Sequence, residues 1–369
     1  MKFSMSEVFF EIHGDSKEAD FLREEFRNVK SNAIEESDIV IRFVSEHSAI
    51  DDAVIVGSFL IGEKNIRHDM PTFSYQLSSI DNWYELEIKV KTKRRVKQIL
   101  PEKVLSLLEM SNLKYHELVG KNILYDCLDF VFQHALLKKN KSFIHASSGV
   151  IKDKSYAFLA WGGVGKSTSL LKLMHEKGMK YLSDDLGILS SDGTLSYNPK
   201  KMQIYAYNLQ GQQWLEDKLL SGRDKEDLLA WKLRLKVFGI KRVRRRVPVE
   251  SIFGENCISS PVLANQIIYL ERKNNSRYEY VNSSVDYVSS KAAYVLSEEL
   301  KPYSLISSAY KSTFPNGNLI LSHEELFNMS LKIIKSGLSA SSSKITSISI
   351  PINATPDEML NDFELNEII

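Results

Sequence analysis

Cysteine is nearly missing from this chain. Cys127 and Cys257 are the only two in 369 residues, and neither belongs to a Cys-x-x-Cys or Cys/His spacing. That excludes a disulfide-stapled scaffold and a structural zinc cluster. Long apolar runs are missing too: nothing approaches the ~20 residues that cross a bilayer. No membrane-spanning segment is therefore expected. A net charge of +1 provides no global field to recruit nucleic acid or membrane, so such a partner would have to be read from a local patch. The first residues soon meet Glu11, Asp15 and Lys17, too polar for a signal peptide, and a reducing cytoplasmic setting is the default expectation. Internal repeats and long low-complexity tracts are also absent. The mildest bias is the serine-rich stretch 336–347, expected to be a loop. What is present is ordinary for a globular protein: 43% hydrophobic and 26% charged residues, enough for a sizeable core divided between two or three domains.

The fold class expected is α/β, or α+β overall, with a smaller module at 1–115 and a larger domain at 116–369. In the first, Phe21, Leu22 and Phe26 have helical spacing within 16–29, and strand-like runs follow at 39–44, 53–61, 73–76 and 83–90. Its histidines and the next one, His13, His47, His68 and His116, lack ligand spacing and read as structural or exposed. The stretch 118–137 reads as one long helix, with Leu124, Cys127, Leu128, Val131 and Ala135 as an apolar stripe. Strands are then expected at 143–151 and 155–160, joined by the turn Lys152-Asp153-Lys154. A helix follows at 166–175, stopped by Gly178, and then a strand at 181–189. Further on, 201–207, 266–270 and 344–350 read as strands, and 214–238, 285–298 and 322–336 as helices.

Between strand and helix lies Ala160-Trp161-Gly162-Gly163-Val164-Gly165-Lys166-Ser167-Thr168. It fits the phosphate-loop pattern G-x-x-x-x-G-K-[ST] with alanine in the first position, where the strand ends. Glycines let successive backbone N–H groups turn inward around an anion, and the helix starting near Lys166 adds its positive end. Lys166 is suited to the β- and γ-phosphates and the Ser167 hydroxyl to Mg²⁺. The bland alternative, a glycine turn with no ligand, fits less well, because Gly-Lys-Ser-Thr stands between a strand and a helix. The expected ligands are ATP and Mg²⁺, on Gly162, Gly163, Val164, Gly165, Lys166, Ser167 and Thr168.

Two other features point to the same place. Asp184 and Asp185 are adjacent carboxylates, which repel unless a cation or proton lies between them. One can hold the metal and the other take a proton from a hydroxyl; a surface turn is the competing explanation. His145 precedes the loop in Phe-Ile-His-Ala-Ser-Ser, and a hairpin from Phe143 to Ala160 would fold it back beside the phosphates.

Together, His145-Ala146-Ser147, Gly162–Thr168 and Leu182-Ser183-Asp184-Asp185 resemble the HPr kinase/phosphorylase family, within the wider group sharing the phosphoenolpyruvate-carboxykinase-like nucleotide fold. The resemblance covers 143–189 well and extends loosely to about 273. It implies a catalytic domain with His145 and Lys166 in the active site, Ser167 on Mg²⁺, and one aspartate of the pair as general base. Asp185 is then the candidate base and Asp184 the candidate metal partner, though the roles can be exchanged. The chain departs from the family at 198–213, which holds Gln203, Asn208, Gln210 and Gly211 where the family has an acidic metal ligand. Phosphorylase activity and HPr itself as acceptor are therefore not carried over.

The function expected is a kinase passing the γ-phosphate of Mg·ATP to a protein, peptide or small-molecule hydroxyl, with residues 1–115 choosing the acceptor. The alternative is a regulatory ATPase or switch without an acceptor. A basic segment at 231–246 contains Lys232, Arg234, Lys236, Lys241, Arg242, Arg244, Arg245 and Arg246. It has three readings: a solvated surface, an arginine reaching the transferring phosphoryl group, or an anionic polymer or lipid contact. No named nucleic-acid motif accompanies it, no membrane partner is expected, and a homo-oligomer is left open.

Overall fold

The computed structural model describes residues 1–80, 83–91, 113–341 and 343–369. They form a mixed α/β architecture with two large mixed sheets. The chain opens with β1 (Lys2–Met5) and β2 (Val8–His13), a hairpin turned by Ser6 and Glu7 at positive φ. Alternation in β2 buries Val8, Phe10 and Ile12 on one face. A helix at Lys17–Glu25 follows, capped by the Ser16 hydroxyl. Then come β3 (Ile39–Phe43), β4 (Val54–Val56), β5 (Phe59–Ile61), β6 (Asn65–Asp69), β7 (Phe73–Ile80) and β8 (Trp83–Val90). These eight strands form one sheet in the order β1-β2-β3-β8-β7-β6-β5-β4. The expected run 53–61 is thus a hairpin, broken where Gly57 takes φ 59°.

The helix expected at 118–137 is continuous but irregular. It runs as Tyr115–Ile123, a π-helical turn at Leu124–Leu128, and Asp129–Lys138. Next come β9 (Lys141–Ile151) and β10 (Lys154–Ala160), the helix Lys166–Lys177, then β11 (Lys180–Ser183), β12 (Leu186–Ser190) and β13 (Thr194–Ser196). β14 (Met202–Tyr205) and β15 (Arg244–Val247) form a two-stranded ribbon. Between them, 214–238 is two helices, Gln213–Leu220 and Lys225–Phe238, separated by a turn with Gly222 at φ 70°. β16 (Val262–Leu263), β17 (Gln266–Lys273), β18 (Glu279–Asn282) and β19 (Lys344–Pro351) complete a nine-stranded sheet. Its path is β16-β13-β12-β9-β10-β17-β19-β18, with β11 also pairing β9.

Two compact units result. Unit 1 comprises Met1–Ala135, Gln203–Val247 and Leu300–Leu326; unit 2 comprises Leu136–Met202, Pro248–Glu299 and Phe327–Ile369. The boundary expected after residue 115 gives way to this interleaved division. The reason is that later segments complete the first unit's interior. Arg246 donates to Glu25 across a pair whose side chains are 1% and 0% exposed. His134 meets the Tyr303 hydroxyl at 3.0 Å, and the Tyr310 hydroxyl donates to the Glu63 carbonyl at 2.6 Å. Phe10, Phe26 and Phe132 pack edge to face beneath the first sheet.

The serine-rich stretch is not a loop. The helix His323–Ala340 runs through its first residues and β19 takes up its last, leaving a short connection in which residue 342 lies outside the described residues. Serines at helix ends and on alternating strand positions need no loop. The helix Lys301–Thr313 and the closing helix Pro356–Leu365, with Thr355 and Glu358 as its capping box, carried no expectation. No described helix is long and apolar enough to cross a membrane.

Candidate active site

The site is assembled within unit 2 around β9 and β10. These strands form the expected hairpin. Its turn residues Lys152 and Asp153 take φ 46° and 68°, the left-handed pair that matches strand twist. The register sets Leu159 opposite Ala146, so His145 lies beside the end of β10, where the glycine loop begins. On its other edge β9 pairs with β12, placing Leu186 opposite His145. Two strand pairings therefore bring His145, the loop and the aspartate pair to one end of the sheet.

In the loop Gly163 and Gly165 take φ 78° and 122°, conformations that suit only glycine well. A Cβ added at Gly162 or Gly163 would meet no atom within 4 Å, so the space beside these two glycines is open. The helix Lys166–Lys177 starts at once, with Gly165 as its cap and no side-chain capping bond. Glycine at the cap offers no side-chain acceptor to the first-turn N–H groups. Lys166, only 6% exposed, donates to the carbonyls of Ala160 at 3.0 Å and Trp161 at 3.1 Å. Burial pulls its ammonium down to about 8, against the opposing attraction of Asp185, Asp184 and Glu299. Arg272 on β17 fastens the loop from behind. Its Nε donates to the Val164 carbonyl at 3.3 Å, while Nη1 reaches the Ile352 and Ala354 carbonyls at 2.9 and 3.0 Å.

The strand expected at 181–189 is broken at its chemically important point. Asp184 and Asp185 lie between β11 and β12, and the Leu186 N–H donates to the Asp184 carbonyl at 3.0 Å. With Asp185 at φ 73°, this is a γ-turn of the rarer, strained hand. The turn separates two adjacent carboxylates. Asp184 is buried and accepts from Ser167 Oγ at 2.7 Å and Ser147 Oγ at 2.6 Å, both on Oδ1. Asp185 is half-exposed. Burial and the charge of Asp185 raise the Asp184 carboxyl above its usual value, although the two serine bonds and Lys166 act the other way. A buried carboxylate next to a second one is a site where a cation offsets desolvation.

His145 is 5% exposed. Its Nδ1 lies 3.0 Å from Glu299 Oε1, an ion-pair distance without the alignment of a hydrogen bond. Burial would raise the Glu299 carboxyl, but His145, Lys166 and Lys200 together hold it below its usual value. Donor atoms of His145, Asp185 and Glu299 all lie within 4.8 Å of one another. Glu299 is the residue that sequence reasoning missed. It ends the helix Val285–Glu299, far along the chain from the motifs, and no local pattern marks it. The acid sought in 198–213 is not there; a carboxylate from another element stands beside His145 instead. Ser147, in the stretch already singled out around His145, is a second contributor.

Within that segment, Asn198 is buried and donates to the Leu186 carbonyl at 2.7 Å, bracing the strand that follows the aspartates. Gln203 donates to the Tyr125 hydroxyl and Asn208 caps a turn, both in unit 1. The basic segment is divided by the fold. Arg245 is bonded to Asp227 at 2.9 Å and stacks on Trp231. Arg246 is buried on Glu25 between Phe21 and Tyr125, and Arg234 is 1% exposed. For these three arginines, burial and pairing within unit 1 set aside two of the three readings, the solvated surface and the arginine reaching a phosphoryl group. No protein-family model matches the chain, and no curated protein sequence matches it.

Proposed function

We propose that unit 2 is a phosphotransferase domain of the HPr-kinase-like kind, passing the γ-phosphoryl group of Mg·ATP to a hydroxyl of a protein, peptide or small molecule. The observation that carries the proposal is the Ser167–Asp184 hydrogen bond. It joins the first turn of the loop helix to the aspartate pair, so anion-binding and proton-accepting groups share one site.

The residues present fit both components of Mg·ATP. Open space at Gly162 and Gly163, positive φ at Gly163 and Gly165, and a helix that starts on glycine suit an anion. The Ser167 hydroxyl and the Asp184 carboxylate are hard oxygen donors suited to Mg²⁺. Mg·ATP supplies the transferable group and the metal charge that stabilises it. Each side chain then has a distinct task. Lys166 trades two carbonyl acceptors for phosphate oxygens, which favour its charged form. Asp184, fixed by two serine hydroxyls, would hold the metal together with Ser167. Asp185, half-exposed on its strained turn, is open to the acceptor and takes the hydroxyl proton. Glu299 keeps the His145 ring in place, with its second nitrogen free to donate toward a phosphate oxygen. Such catalysis is mainly positioning and electrostatics.

Full-length protein incubated with γ-labelled ATP and a cell extract tests the proposal. Label on an acceptor is the expected result; label released only as free phosphate makes the protein an ATPase, and neither makes it a binding module. Lys166→Ala should reduce transfer by about a hundredfold or more, ~3 kcal/mol of barrier. Undiminished transfer by that variant would overturn the assignment.

A further inference from the structure

The helix Lys225–Phe238 has two apolar sides, and only one of them is packed. Trp231, Leu235 and Phe238 close a small cluster with Ala206, Val243, Leu209 and Leu220. On the other side Leu229, Leu233 and Val237 repeat at four-residue spacing and are 69%, 48% and 63% exposed. Ile240, just past the helix end, is 40% exposed. Residues four apart stack along one helix face, so these side chains make a continuous stripe rather than scattered surface residues. A stripe of this kind marks a contact.

The stripe is bordered by cations. Lys232, Lys236, Lys241 and Arg242 are exposed and form no ion pair among the described residues. The helix's acids near this face, Glu226 and Asp227, lie in its first turn, and Asp227 is taken by Arg245. A chain whose net charge is only +1 thus concentrates positive charge beside its exposed apolar stripe. The complementary surface is anionic with an apolar layer beneath. A second copy does not suit, because pairing this face with itself brings two positively charged flanks together. The stripe is also the convex outside of one helix, which a planar, deformable surface accommodates without a matching groove.

We propose that this helix docks on an anionic phospholipid surface, with Leu229, Leu233 and Val237 in the interfacial layer and the flanking lysines on headgroup phosphates. The contact is peripheral, since no described helix is fit to cross a membrane.

Flotation of the full-length protein with phosphatidylcholine vesicles, with and without phosphatidylglycerol, tests this. The protein should float only with the anionic vesicles, and less so as salt is raised. Lys232→Glu/Lys236→Glu should lower the bound fraction roughly tenfold or more. Leu229→Ser/Val237→Ser should lower it at low salt as well, with both variants keeping the wild-type circular dichroism and melting temperature. The proposal is overturned if wild-type protein stays with the soluble fraction at low salt, or if either double variant floats as well as wild type. It is likewise overturned if vesicles fail while polyglutamate binds, which would make the partner an acidic polypeptide. Self-association that the lysine reversals alter, without flotation, would make it a second copy.

Discussion

A charged lysine at 6% exposure whose hydrogen bonds, among the described residues, go to two carbonyls costs folding free energy for as long as it stays charged. For Lys166 the folded value is about 8, against 10.5 for an ordinary lysine. Between those two pH values the folded state releases its proton first, so stability rises with pH across that window and the cost is fully present below it. Replacing the side chain with Met should stabilise the ligand-free protein at pH 7, by up to ~3 kcal/mol before the lost carbonyl bonds are subtracted. The advantage should shrink steadily from pH 8 to 10.5, and thermal melts of both proteins across that range measure it. An advantage that did not change with pH would show that the ammonium carries no such cost. Glu299 is the second residue to test. Glu299→Gln should lower phosphoryl transfer ten- to a hundredfold through loss of charge beside His145, while leaving metal-free nucleotide binding intact by calorimetry. Lys166, Ser167, His145 and the two aspartates were legible because they lie on consecutive strands and one loop, where spacing in sequence becomes proximity in space. Glu299 was not, since it is brought in by a helix end from a distant stretch.

At the scale of elements, the hairpin β9–β10 was legible from a polar turn between two apolar runs. The split of 181–189 was not. A continuous alternating pattern says nothing about one residue at φ 73°, and here the break lies at the aspartates themselves. Positive φ at a non-glycine residue is a cost of order 1–3 kcal/mol that surrounding structure must offset. β11 helps to do so. It pairs with β9 through an irregular register between Tyr181 and Ser183, and Ser183 bonds to Ser148 at 2.7 Å. That pairing depends on Gly149, where an added Cβ would come within 2.5 Å of the Lys180 carbonyl and 2.7 Å of Met179. Gly149→Ala should therefore destabilise the protein by ~1–3 kcal/mol, read from the denaturation midpoint. Because β11 delivers Asp184, phosphoryl transfer should fall more than the loss of folded protein explains.

Over the whole molecule, the mixed α/β class was legible from alternating periodicities, and the division into units was not. Residues 203–247 and 300–326 carry no linker-like composition that would announce a return to the first unit. What draws them back is long-range chemistry: Arg246 on Glu25, Tyr303 on His134, Tyr310 on the Glu63 carbonyl. A fragment beginning at residue 116 should consequently lack a cooperative transition, because Arg246 would be a buried charge without its partner and Phe132 would lose Phe10 and Phe26. Hydrogen exchange would measure this; full protection of 203–247 in the fragment would show that the segment folds without the first sheet. The interleaving also sets a timetable for birth on the ribosome. The first sheet emerges early, yet the last segment of its unit, Leu300–Leu326, follows residue 135 by a synthesis interval of roughly ten to forty seconds. Throughout that interval the nascent sheet keeps an unfinished apolar face, a client for chaperones until translation passes residue 326.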